Sequence, residues 1–143
     1  MAHIYTANAH VAGGRTGHGS TSDGKLDLSL SRPGSNGEGT NPEQLFAIAY
    51  GACFEGALAT VARRQRVDVG LTSIESSVEL HSAEDGSFYI EAALDVTLPA
   101  VEDPNLALAL VLEAHRVCPY SNALRGNVAV VLTANGSKVA TND

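Results

Sequence analysis

The chain has 143 residues, 44% of them apolar, enough for one domain with a real core. Its net charge is −7 and no basic run is longer than Arg63-Arg64, which argues against nucleic acid and anionic membranes as partners, since both need a concentrated positive face. Met1–Tyr5 carries neither a basic leader nor an apolar signal core, so a cytoplasmic location is expected, where thiols are kept reduced.

The first elements read as antiparallel strands. Tyr5, Ala7, Ala9 and Val11 alternate along His3 to Val11, and Leu26, Leu28 and Leu30 alternate against Asp27, Ser29 and Ser31. Asp23-Gly24 between them is a tight-turn signal. The glycine-rich run Gly13 to Gly19 fits a strand edge or a loop. Ser31 to Gly39 is a flexible link. At its end Thr40-Asn41-Pro42-Glu43-Gln44 opens a helix, with an Asn cap, Pro at the first helical position and a Thr40/Glu43 capping-box spacing.

That helix should run to about Arg66. It holds the longest apolar stretch, Leu45 to Ala62, but Glu55 and the glycine and polar breaks mark a buried helix rather than a membrane span. Its surface between Ala47 and Ala62 is mostly Ala, Gly and Cys, which permits close approach of another backbone. A hairpin follows, with Ile74, Ser76, Val78 and Leu80 on one side of its first strand. Phe88, Ile90, Ala92, Leu94, Val96 and Leu98 share one side of the second, and Glu84-Asp85-Gly86 makes the turn. Asp103-Pro104 opens a second long helix through Val117, which Pro119 ends by holding Cys118 extended. A short helical turn to Gly126 and a strand over Asn127–Thr133 complete an α+β order, with helices packed on antiparallel sheet in a single domain, residues 1–143.

Cys53 and Cys118 are the only cysteines, and two sulfurs in such settings could form one reversible dithiol/disulfide pair. Cys53 lies in the small-residue helical run, where an ordinary packed thiol is the simpler reading. A reactive role needs a thiolate, hence a nearby positive charge. Arg63, on the same helix, is about 15 Å along the axis, so the field must come from elsewhere in the chain. Arg15, in its glycine-rich surroundings, offers a fixed fork of donors, although alone it reads equally as a solvated loop arginine. Glu43 favours the helix dipole whether or not it does anything else. Cys118 either sits at the positive end of a helix begun by Pro119 or fills a gap at a chain reversal. His115 and Cys118 are spaced as a metal-ligand pair, but no CxxC or HExxH accompanies them and the other histidines are dispersed. No metal is expected.

Gly13-Gly14-Arg15, Ser22-Asp23-Gly24, Gly39-Thr40-Asn41-Pro42-Glu43-Gln44-Leu45-Phe46-Ala47, Ala52-Cys53-Phe54 and Cys118-Pro119-Tyr120-Ser121-Asn122-Ala123 with Arg125-Gly126 run in order over essentially the whole chain. Together they resemble the organic hydroperoxide resistance (Ohr) branch of the Ohr/OsmC family. The resemblance implies an OsmC-like intertwined homodimer and a cysteine peroxidase for organic, including lipid, hydroperoxides. No bound cofactor is implied; a lipoyl group on another protein would serve as external dithiol reductant. Carried over, Cys53 matches the peroxide-reacting cysteine, Cys118 the resolving cysteine, and Arg15 and Glu43 the pair that activates the thiolate and positions the peroxide. Leu45, Phe46, Phe54 and Tyr120 would line the substrate's organic part, though each reads equally as core.

Two features depart from the family pattern near the Arg15 loop: residues Arg32–Glu38 form a shorter stretch, and Thr16 stands where an acidic residue is common. Helix geometry adds an expectation of its own. Glu43 and Cys53 lie ten residues apart in one predicted helix, roughly 15 Å along its axis. Each Cys53 is therefore expected to work with a Glu43 from a partner chain. The competing readings are an OsmC-type peroxidase with a broader peroxide range, and a non-catalytic redox sensor that forms its disulfide once.

Overall fold

The structure, a computed structural model, describes residues 1–142, in two compact units: Met1–Leu45, and a second from Phe46 onward. In the first unit, strands β1 (Ala9–Ala12), β2 (His18–Thr21) and β3 (Asp27–Ser29) form an antiparallel sheet in that order. Residues 3–8, read as part of the first strand, lie outside it. Alternation there has nothing to face, since β1 is exposed along its whole length within this chain. The glycine run resolves into both alternatives at once, a short 3-10 turn at Gly14–Thr16 and then β2. Asp23 folds the β2–β3 connection, its carboxylate accepting from the Thr21 hydroxyl at 2.7 Å and the Lys25 backbone N–H at 3.0 Å.

Helix α1 spans Pro42–Gln65 without a break. Asn41 caps it, its side chain accepting from the Gln44 backbone N–H at 2.9 Å. The expected Thr40/Glu43 box is not what forms. The Thr40 hydroxyl donates instead to the Gln44 side chain at 2.8 Å, and the Glu43 carboxylate is engaged by a guanidinium, a stronger partner than a backbone amide.

In the second unit, β4 (Ser73–Ser82) and β5 (Phe88–Thr97) form the long hairpin, β6 spans Val130–Ala134 and β7 Ser137–Lys138. Helices α2 (Pro104–Val117) and α3 (Pro119–Leu124) lie between β5 and β6 in sequence. The sheet order is β4-β5-β6-β7. All pairs are antiparallel except β5–β6, which is parallel because the α2–α3 segment carries the chain back to start β6 in the same direction. The fold is α+β, as read from the sequence, with one parallel pair the pattern did not announce.

The core of this unit joins Tyr50, Phe54, Leu58 and Val61 of α1 to Leu94, Val96 and Leu132 of the sheet and Leu110, Val111 and Ala114 of α2. Ala92, Leu94 and Val96 are buried while alternate residues of β5 are less so, the signature of a half-covered sheet. Phe88 and Leu80, at the hairpin tip, are exposed, because no element of this chain covers that end of the inward face. Among the described residues, α1 alone is long and apolar enough to cross a bilayer. One face of it is nevertheless spent on this core, as Glu55 and its polar breaks predict.

Candidate active site

Arg15 sits at the centre of the 3-10 turn, and the flanking glycines are there for steric reasons. Gly13 adopts a left-handed φ of 79°, and a Cβ on Gly17 would lie 1.8 Å from the Ala12 carbonyl oxygen. The turn closes on itself and its arginine projects outward. From there the guanidinium donates to both carboxylate oxygens of Glu43, at 2.8 and 2.6 Å. This bidentate pair holds the Glu43 carboxyl below the usual carboxylate range, chiefly through the Arg15 hydrogen bonds, and raises Arg15 in return. Neither the short 32–38 segment nor Thr16 prevents the pairing. Arg15 is exposed, so water screens the pair and its value lies in geometry rather than in stability.

In the second unit the cysteines lie together. The Cys118 thiol points at the Cys53 sulfur at 3.8 Å, and neither is in a disulfide. Their exposures differ: Cys118 is fully buried, whereas Cys53 is partly open to solvent. Cys118 is at once the C-cap of α2, its N–H bonded to the Ala114 carbonyl at 2.9 Å, and the N-cap of α3, its carbonyl accepting from the Asn122 N–H at 2.9 Å. Its extended backbone is what Pro119 demands of the preceding residue. The amide at the start of α3 that meets a sulfur is that of Tyr120, and the sulfur it meets is Cys53. The positive helix end, one of two alternatives read for Cys118, thus meets the sulfur of its partner. Even so, burial dominates and pushes the Cys53 thiol up; the Tyr120 amide pulls it back only in part, and the neighbouring Cys118 adds to the rise. A working thiolate still requires a cation.

Behind the sulfurs runs a buried chain of polar groups that sequence reading missed. The Tyr50 hydroxyl shares a 2.8 Å hydrogen bond with the Ser121 hydroxyl, which shares another of 2.9 Å with His115 Nδ1. Tyr50 and Ser121 are fully buried and His115 nearly so. Arg125 donates to the His115 carbonyl at 2.9 Å, satisfying an acceptor in the last turn of α2. His115 is thus tied into a buried hydrogen-bond chain through Nδ1. The signal was present: Tyr50, His115 and Ser121 are each three residues from a cysteine, one helical turn away.

Aromatic rings gather beside this chain. Tyr120 stacks on Tyr50 at 6.1 Å and meets Phe46 at 5.8 Å, while Tyr50 also contacts Phe46 and Phe54 edge-on. Phe46 is half-buried and Tyr120 exposed, so both can meet a ligand; Phe54 is entirely within the core. Leu45 belongs to the first unit, half-buried. Among the described residues, Glu79, His81 and Glu91 form the one group whose donor atoms lie within 4.8 Å of each other. His81 is already bonded to Glu79 at 3.0 Å and stacked on Tyr89, a solvated pairing across β4 and β5.

Residues 34–133 match the family model described as OsmC-like protein. The chain is 47% identical over 135 residues to the organic hydroperoxide resistance protein of Xanthomonas axonopodis pv. citri, covering 91% of this chain and 94% of that one. Among solved structures, it superposes with a TM-score of 0.87 on an organic hydroperoxide resistance protein from Legionella pneumophila, at 46% identity, covering 92% of this chain and 97% of the other. The organic hydroperoxide resistance protein OhrB of Bacillus subtilis gives 0.84 at 45% identity, covering 90% and 96%.

Proposed function

This chain belongs to the OsmC-like family, its relatives being organic hydroperoxide resistance proteins, and from that membership we propose that it is a cysteine peroxidase for organic hydroperoxides. The observation that carries the reading is the sulfur pair, one thiol partly exposed and the other buried 3.8 Å behind it. Such asymmetry supports Cys53 as the first to react and Cys118 as the second.

The Cys53 thiolate attacks the terminal, hydroxyl-bearing oxygen of the hydroperoxide. The O–O bond breaks, an alkoxide leaves and is protonated to the alcohol, and Cys53 becomes a sulfenic acid. Cys118 then attacks that sulfur; its proton and the sulfenic hydroxyl leave as water, and a Cys53–Cys118 disulfide forms. An external dithiol, of lipoyl type, reduces the disulfide and becomes oxidised itself. No cofactor need be held by the chain. Phe46 and Tyr120 offer apolar contact to the organic group, with Leu45 a further lining residue; Phe54 acts only through the core.

Arg15 supplies the cation that the half-buried Cys53 needs, and Glu43 aims it. Because α1 runs unbroken through Glu43 and Cys53, ten residues and roughly 15 Å of helix separate them. The Arg15–Glu43 pair that serves each Cys53 therefore comes from the partner chain of a homodimer. A reducing cytoplasm suits this cycle.

The test is peroxide consumption by the reduced protein with dihydrolipoamide in excess, comparing an organic hydroperoxide with hydrogen peroxide. Sustained turnover favouring the organic substrate and lost in Cys53→Ser supports the reading. Equal rates would place the chain with broader peroxidases, and a single round of oxidation without turnover would make it a sensor.

A further inference from the structure

The buried hydrogen bonds behind the sulfurs have a placement that packing alone does not require. Tyr50 is one turn before Cys53 on α1, and Ser121 is one turn after Cys118 on α3. His115 is one turn before Cys118 on α2. The chain Tyr50–Ser121–His115 therefore ties together the three helical segments that carry or flank the two cysteines, with bonds of 2.8 and 2.9 Å in a wholly dehydrated setting. Hydrogen bonds in such a setting are costly to break, since a severed partner cannot turn to water.

Two unbonded sulfurs at 3.8 Å are in contact. They cannot come closer without bonding, so any loosening of the segments that hold them moves the mean separation outward. A disulfide needs a separation of about 2.05 Å and a restricted Cβ–S–S–Cβ angle. Its rate and equilibrium thus depend on how tightly the sulfur pair is held at contact, an effective-concentration effect.

We infer that the Tyr50–Ser121–His115 chain is a positioning device for the resolving step, holding Cys118 against Cys53 so that the disulfide closes before Cys53 can be oxidised further. In this role Tyr50, Ser121 and His115 are positioning residues rather than reacting groups. They act through the backbone segments they join. The inference rests on the peroxidase reading for its biological meaning, but its central quantity, the ease of closing Cys53–Cys118, can be measured without any peroxide.

The experiment uses Tyr50→Phe, which keeps the ring, and Ser121→Ala, which removes the shared hydroxyl. The full chain is titrated in dithiol/disulfide buffers, and single-turnover oxidation by one equivalent of an organic hydroperoxide is followed in parallel. The closure constant is expected to fall about tenfold in each variant, making the potential about 30 mV less negative. The first oxidation of Cys53 should stay within about twofold of the parent, because no group touching the peroxide changes. With excess hydroperoxide the variants should accumulate Cys53 sulfinic acid while the parent forms disulfide. A potential and closure rate unchanged in both variants would overturn the inference, as would a parallel loss of both oxidation steps, which would mark the chain as purely structural. If the parent consumes no organic hydroperoxide but the potential shifts as expected, the peroxidase reading falls and the positioning role stands.

Discussion

Cys53 meets two opposing influences within its own unit: burial raises its thiol, and the Tyr120 amide lowers it by less. A neutral thiol is a poor nucleophile, so the proposed peroxide chemistry at neutral pH calls for a cation, the role proposed for Arg15. In the working protein, replacing Arg15 with Ala should move the pH midpoint of Cys53 alkylation by iodoacetamide upward, to above the ordinary thiol range. Removing the cation leaves burial in command. Peroxidase activity should fall on the order of a hundredfold, as when a charge-stabilising donor is lost. Arg15→Lys should recover little of it, since a point charge cannot hold Glu43 with two parallel bonds. An unchanged alkylation profile in Arg15→Ala would remove Arg15 from the site.

Glu43 adds an acid limit. Its folded carboxyl is depressed by Arg15, so the ion pair is complete above the unfolded carboxylate range near pH 4.3 and is lost as pH falls through the lower folded value. Activity on the acid side should therefore persist to below the ordinary carboxylate range if Glu43 alone controls it, and Glu43→Gln should abolish that dependence. At this scale the family motifs were legible in the sequence, because GTNPEQLFA and CPYSNA are long, specific strings, whereas GGR alone would be weak. The tuning was not. Which sulfur faces the Tyr120 amide depends on where α1 lies against α3, and no string of letters contains that.

Among the elements, α1 and its cap were visible at once because Asn41-Pro42 is a local signal and caps act locally. Asn41→Ala should cost about 1 kcal/mol in urea denaturation. The final hairpin shows the reverse. Asn135-Gly136, both with positive φ, turn β6 into β7, a tight-turn dipeptide that was available and was not used in reading the strand as ending at Thr133. Asn135 does more than turn the chain. Its side chain accepts from the Leu98 N–H at 2.7 Å and donates to the Leu98 and Val101 carbonyls at 3.1 and 3.2 Å, sealing the end of β5. Asn135→Ala loses these bonds and must hold a φ of 48°, so a cost on the order of 2–3 kcal/mol is expected in the same measurement. The parallel β5–β6 pair was illegible for another reason. Strand direction is set by where the intervening helices deliver the chain, a non-local matter.

For the whole molecule, α1 presents Ile48, Ala52, Gly56 and Ala59 to solvent along one stripe, at spacings of four, four and three residues. Ile48 is 72% exposed, and small neighbours would admit a second backbone closely. The proposed homodimer gives this stripe a partner. Sedimentation of the parent should report two chains; Ile48→Asp should shift it toward one and reduce peroxidase activity with it, because the partner's Arg15–Glu43 pair is lost. A fully active single-chain species would refute a shared site.

By itself the sequence determined the family motifs, the helix starts and the α+β class, since motifs, caps and periodicity act over a few positions. Only the tertiary structure decided that Cys118 is buried while Cys53 is partly open, that the α3 amide belongs to Cys53, and that Tyr50, Ser121 and His115 close into one chain behind them. Those outcomes join residues up to 71 positions apart. They arise when a common core is packed, where burial and the need to satisfy dehydrated polar groups select among arrangements that local signals leave equal.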